Sequence, residues 1–196
     1  KGGKTMNISL WQAILIGVVY YLGITGTPWL TALGSTIIQK PLVAGVLVGC
    51  IMGDPVQGAI IGAAIQLPFI AYISAGGAPP TDPGLAGTLG TALAIAGGVK
   101  PTAAIAIAVP IGLLGTIIWV IHMTVDVFFV HAIDRAAAEG NMKKAKFLHI
   151  VPPQIFAFFL GCIPVALGCY FGSGAVTDII HALEGRPLQA LEVIGG

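Results

Sequence analysis

Apolar residues run through this chain in long blocks, and the polar positions fall mostly between the blocks. Segments 8–24, 42–53, 56–75, 85–99, 101–121 and 154–171 are almost free of charge. Several reach the roughly 20 residues that cross ~30 Å of hydrocarbon. The shorter ones predict half-spans or re-entrant hairpins. The pattern therefore predicts an all-α integral membrane protein, a polytopic bundle with kinked helices and re-entrant hairpin elements.

Segment 8–24 predicts a helix with Trp11 near one interface and Tyr20-Tyr21 toward the other, as in the aromatic belts of membrane proteins. Residues 25–40 carry Gly26, Pro28, Gly34 and Gln39, and predict a short amphipathic or re-entrant piece. Asp54-Pro55 and Asp82-Pro83 each open a helix, because Asp is a favoured N-cap and Pro a favoured first helical residue. Lys100-Pro101 opens another without the Asp. Pro68 and Pro110 lie inside apolar blocks and predict kinks. Gly58 with Gly62, and Ala86 with Gly90, are spaced for close helix packing in lipid. Residues 126–149 read as a span running out into an amphipathic, basic helix. After Val151-Pro152-Pro153 the chain re-enters the apolar phase, and 173–196 reads as a Gly/Ser loop and a polar segment. Four of the nine Lys and Arg residues lie at 135, 143, 144 and 146, which places that region in the cytoplasm.

The interruption between Gln66 and Asp82 reads Gln-Leu-Pro-Phe-Ile-Ala-Tyr-Ile-Ser-Ala-Gly-Gly-Ala-Pro-Pro-Thr-Asp. Broken apolar segments carrying polar groups build substrate sites at bilayer depth in transporters. Irregular backbone survives there only where protein or a water-filled cavity covers it.

Composition agrees with a membrane protein. Charged residues are 9% of the chain, against about 25% in soluble domains, and the mean hydropathy is +0.95. A net charge of +1 offers no nucleic-acid footprint. Cys50, Cys162 and Cys169 stand apart in apolar surroundings and read as buried thiols, with no metal site or cofactor implied. Residues 1–5 read as upstream or appended sequence, and 6–196 as a single membrane domain that would be followed by further apolar sequence. Segment 8–24 reads as a retained span and not a removed signal peptide.

Gln66 is an amide within an apolar helix, and burying it unpaired would cost about 1–3 kcal/mol. Its partner is either another helix or a substrate hydroxyl. Asp82 is an N-cap and also an ionisable group at membrane depth, which is a functional hypothesis by default. Asp54 has the same cap signature with fewer polar neighbours and reads as structural. Ser74, Gly76 and Gly77 give a flexible loop through which backbone can approach a ligand. Tyr72 either stacks on a sugar or packs. His122 and Asp126, four residues apart, can pair on one helical face. Nothing in the sequence suggests its own phosphoryl-transfer chemistry.

The run Met6-Asn7-Ile8-Ser9-Leu10-Trp11-Gln12-Ala13, the run Lys40-Pro41-Leu42-Val43, and Gly49-Cys50-Ile51-Met52-Gly53-Asp54 with Gly58 and Gly62 resemble a known family. So do the 66–82 stretch and Asp134-Arg135-Ala136-Ala137-Ala138-Glu139-Gly140-Asn141. The family is membrane subunit IIC of the mannose/fructose/sorbose class of the bacterial phosphotransferase system, and the resemblance covers roughly 6–196. It implies a sugar-binding subunit paired with a IID membrane subunit of similar, inverted topology, with a mobile core and a trimeric scaffold. Cytoplasmic IIA and IIB phosphocarriers would relay phosphate from phosphoenolpyruvate, and sugar would be phosphorylated as it enters. The family often has Glu where this chain has Gln66 and Asn where it has Ser74, so the sugar cannot be carried over.

The expected function is sugar binding and translocation in the bacterial cytoplasmic membrane by a multi-pass subunit of a higher oligomer, non-catalytic on its own. Gln66, Ser74, Thr81 and Asp82 would be the polar ligands and Gly76-Gly77 the hinge. The alternatives are a secondary transporter or channel of another family, and a non-transporting scaffold subunit.

Overall fold

The computed structural model describes residues 6–24, 33–70 and 81–183, and every regular element among them is helical. Helix α1 (Leu10–Gly23) opens on a capping box. The Ser9 hydroxyl accepts from the Gln12 amide at 3.3 Å, and the Gln12 side chain accepts from the Ser9 amide at 3.0 Å, so two helix-end donors are satisfied together. Helices α2 (Pro41–Met52) and α3 (Pro55–Phe69) follow. Helix α4 (Pro83–Ala96) passes through a π-helical stretch, Ala86–Gly90. Both expected Asp-Pro starts are present. Asp54 accepts from the Gln57 amide and Asp82 from the Leu85 amide, each at 2.9 Å. Part of the 25–40 region forms a π-helical turn at Gly34–Ile38, and residues 25–32 lie outside the described residues.

Helix α2 ends at Gly53, whose φ of 87° is left-handed and therefore suits glycine. The chain turns directly into α3, and the two helices pack along a seam of glycines. A Cβ on Gly45 would lie 2.6 Å from the Gly58 carbonyl oxygen and 2.7 Å from the Gly62 Cα, and one on Gly49 would lie 2.9 Å from the Gly58 Cα. The backbones themselves are in contact, which is how helices associate in lipid, where burial from water supplies little drive.

Helices α1 to α4 have 12 to 15 residues. At 1.5 Å per residue they are roughly 18–23 Å long, short of a ~30 Å hydrocarbon layer, as the short apolar blocks suggest. Among the described residues two helices are long and apolar enough to cross: α5 (Pro101–Ala138) and α6 (Met142–Leu183), the latter by its stretch to Gly172. They join at a tight turn around Gly140.

Here the structure differs from the sequence reading. Pro152 and Pro153 do not separate two segments but lie inside α6, and the helix continues through 173–183, where a loop was expected. Each proline removes one hydrogen bond, freeing the carbonyls of Leu148 and His149. Membrane helices tolerate such losses because neighbouring helices re-satisfy the freed groups. Pro68 and Pro110 likewise sit inside α3 and α5.

The Gln12 side-chain amide donates to the Ile51 carbonyl at 3.2 Å, and the Met6 amide to the Ala96 carbonyl at 2.8 Å. One end of the bundle therefore holds the start of α1 and the ends of α2 and α4. The other end gathers the end of α1, the starts of α2 and α4 and the end of α3, and α5 runs on past it. Ile16, Val48, Ile61, Ile65 and Val165 are fully buried between them. Cys162 and Cys169 are buried as expected, whereas Cys50 is exposed on the outer face of α2.

Candidate functional site

Asp82 ties three helices together. One carboxylate oxygen, Oδ1, caps α4 through the Leu85 amide. The other, Oδ2, accepts from the Tyr20 hydroxyl of α1 at 2.5 Å. Its own amide donates to the Gly112 carbonyl of α5 at 2.8 Å. Its Cβ lies directly against Gly115, where any side chain would collide with it. Four lone-pair sites on a carboxylate leave acceptor capacity beyond these two bonds.

Beside Asp82 is a cleft lined by Tyr20, Gln39, Trp119 and His122, with Ile24, Ile118 and Leu160 as apolar wall. Its volume is about 20 Å³, room for a single water, which needs at least about 10–15 Å³. A monosaccharide requires it to open. The residue types suit a polyol: a carboxylate, an amide and an imidazole for hydroxyls, and an indole for an apolar ring face. His122 and Asp126 pair as expected, with Nδ1 3.4 Å from Oδ2.

The structure brings the other expected ligands together only in part. The Gln66 side-chain oxygen accepts from the Leu42 amide at 3.0 Å. That is the interhelical alternative, and it supplies the first turn of α2 with a partner that its N-cap, Lys40, does not provide. Thr81 is half-buried immediately before Asp82. Ser74, Gly76 and Gly77, with Tyr72, lie outside the described residues. Asp54 caps α3 at the opposite end of the bundle, in keeping with a structural role. Among the described residues no group of three His, Cys, Asp or Glu side chains is placed to hold a metal.

Tyr20, Gln39 and Trp119 are absent from the sequence-based site. Tyr20 read as one of an interfacial pair, yet it is buried and bonded to Asp82, while Tyr21 donates to the Gln154 side chain at 3.0 Å. Adjacent helical residues point about 100° apart, so a Tyr-Tyr pair sends its two rings to different faces of α1. That was the available signal.

The chain matches the family described as PTS system sorbose-specific IIC component (EII-Sor) over residues 10–196. It is 29% identical over 191 residues to the PTS system mannose-specific EIIC component of Escherichia coli K12, covering 97% of this chain and 70% of that protein. It is 30% identical to the PTS system sorbose-specific EIIC component of Lacticaseibacillus casei, covering 97% and 68%. Its fold superposes with a TM-score of 0.73 on a chain from the cryo-EM structure of the mannose transporter ManYZ in complex with microcin E492, at 29% identity, over 97% of this chain and 75% of that one. Together with the half-length helices and the two long apolar ones, these similarities define the protein: the chain belongs to the EII-Sor family and is an all-α, membrane-integral IIC component of phosphotransferase-system sugar transport.

Proposed function

We propose that this subunit binds the sugar and carries it across the bacterial cytoplasmic membrane, with phosphorylation by a partner IIB protein as it enters. It would do so as one half of a IIC/IID membrane pair fed by cytoplasmic IIA and IIB, in a multi-pass arrangement and a higher oligomer. The observation that carries this reading is the depth of Asp82. Gly112 and Gly115, which touch it, are 12 and 15 residues past Lys100 on α5, or about 18 and 22 Å along the helix. Arg135 lies 20 residues beyond Gly115, about 30 Å further. A bilayer with its headgroups is about 40–45 Å thick. With Lys100 near one surface and Arg135 near the other, Asp82 falls within the hydrocarbon layer. A carboxylate there marks a substrate path by default.

Asp82, Thr81 and the 74–77 loop are the proposed sugar contacts, with Gly76-Gly77 as hinge. Gln66 has one oxygen engaged by α2, and any sugar contact from it falls to the rest of its amide. The sugars named for the relatives, mannose and sorbose, make a monosaccharide the expected cargo. The test is equilibrium binding and uptake of labelled mannose, sorbose, other hexoses and hexosamines by the full-length IIC with its IID partner, in wild type and Asp82→Asn. Asn retains the cap, because it caps about as well as Asp. Loss of uptake at normal membrane levels supports the reading, and wild-type binding and uptake of every sugar in the variant overturns it.

A further inference from the structure

The inner face of α5 follows a regular spacing. Ala108, Gly112 and Gly115 are buried on it, four and three residues apart. The same spacing continues through Trp119, His122 and Asp126. An all-apolar seam would carry leucines at these positions, but here it carries an imidazole and a carboxylate. Trp119 and His122 line the Asp82 cleft. The His122 ring stacks between Trp119 and Phe156, with centroids 6.1 and 6.4 Å away. The 3.4 Å contact from His122 Nδ1 to Asp126 Oδ2 is longer than a good hydrogen bond, and neither that Nδ1 nor Asp126 Oδ1, both buried, has a hydrogen-bond partner among the described residues. Buried polar atoms are nearly always paired, so each such exception calls for a ligand, a water or a functional reason.

The geometry points to a second sugar station on α5, formed by Trp119, His122 and Asp126, that begins at the α5 wall of the Asp82 cleft and extends toward the basic turn at Gly140. This deepens the sugar-transport reading and rests on it. When the cleft opens, the indole offers a platform to the apolar face of a pyranose or furanose ring. The imidazole offers one donor or acceptor, and the carboxylate two further acceptor atoms, to neighbouring hydroxyls. His122 lies about two helical turns past Gly115 and Asp126 about three, so a sugar leaving Asp82 toward the cytoplasmic end meets these groups next. Asp82 would set equilibrium binding and Asp126 the rate of passage, with His122 shared between the two.

The test uses the full-length IIC with its membrane partner in vesicles, with labelled mannose and sorbose as probes. His122→Phe and Asp126→Leu keep apolar bulk and remove the polar groups. Uptake should fall tenfold or more in each, while equilibrium binding stays within about threefold of wild type in Asp126→Leu, whose side chain lies outside the lining of the Asp82 cleft. His122→Gln and Asp126→Asn, which keep hydrogen-bonding capacity, should recover most of the rate. Thermal stability of each purified complex separates misfolding from lost passage. Wild-type uptake in His122→Phe and Asp126→Leu overturns the inference, as does an uptake loss that follows thermal stability and is not recovered by the conservative variants. Asp82→Asn run in parallel keeps the two readings apart. If it alone disables uptake, the Asp82 site stands and the second station falls. If it is silent while His122→Phe is not, the Asp82 reading falls and the α5 groups are the primary contacts.

Discussion

The Tyr20 hydroxyl donates to Asp82 across 62 positions of sequence and closes the gap between α1 and the start of α4. Hydrogen bonds to charged groups contribute about 1.5–3 kcal/mol. Tyr20→Phe keeps the ring and removes the bond. We expect a thermal stability loss of that order, together with a change in sugar affinity, since the freed oxygen becomes available to a substrate hydroxyl. Thermal unfolding and a binding isotherm on the same preparation check both. Unchanged stability would show that water replaces the phenol at no cost.

Gly115 leaves no space between α5 and Asp82. Gly115→Ala should displace the carboxylate and lower uptake well beyond the modest effect that added helix propensity alone would have. Gly174→Ala, where a Cβ meets nothing within 4 Å, is the control and should leave uptake unchanged.

The glycine seam between α2 and α3 predicts a different phenotype. Gly58→Leu forces backbones apart that now touch. Overpacking typically costs about 1–3 kcal/mol, and sometimes more. Lower membrane levels and a reduced melting temperature are expected, whereas Val56→Leu on the exposed face should be neutral. A normal melting temperature in Gly58→Leu would mean the hairpin can re-register.

Gln66→Leu leaves the Leu42 amide without its partner at the start of α2, at a cost of about 1–3 kcal/mol. Gln66→Glu keeps an acceptor oxygen and should retain most of the stability. A sugar role adds a second signature, a ten- to hundredfold affinity loss in Gln66→Leu for the same energy range. Comparing the melting temperature with the dissociation constant in both variants separates the contributions.

The basic turn sets orientation. Lys144 lies beside Glu139 at 3.6 Å, both half-exposed at the end of the long hairpin. Lys144→Cys should react with an impermeant thiol reagent in inside-out vesicles and not from the outer face of intact cells. Labelling from the outer face reverses the assigned topology.

Much of this architecture is written locally. The Asp-Pro starts at 54 and 82, the prolines within helices and the Gly58/Gly62 spacing each follow from one or two residues whose backbone demands are strong. The Asp82 cap was legible for the same reason, since Asp before Pro at the end of a break is a strong helix-start signal. Tyr20 was not, because its partner is 62 residues away and nothing in α1 marks which of two adjacent tyrosines faces inward. The course of α6 was misread because Pro152-Pro153 is a strong stop signal in water. In a membrane bundle, tertiary packing overrides it. Trp119 was missed because its role comes from the α5 seam that Gly112 and Gly115 define, and that seam is visible only once Asp82 is seen against it.

The amide bond from Asp82 to the Gly112 carbonyl has a mechanical meaning. It fastens the start of α4 to α5 by main chain, and Gly90, about two turns further along α4, packs against Ala108. Asp82 and the 108–115 stretch of α5 are therefore packed as one unit. Any excursion that exposes Asp82 first to one side of the membrane and then to the other must take that stretch along. A bending point outside that stretch then falls above Gly115, where Trp119 begins. A long helix that looks like a fixed strut would thus be divided, with its first half travelling as cargo-bearing machinery and its second half staying behind as rail.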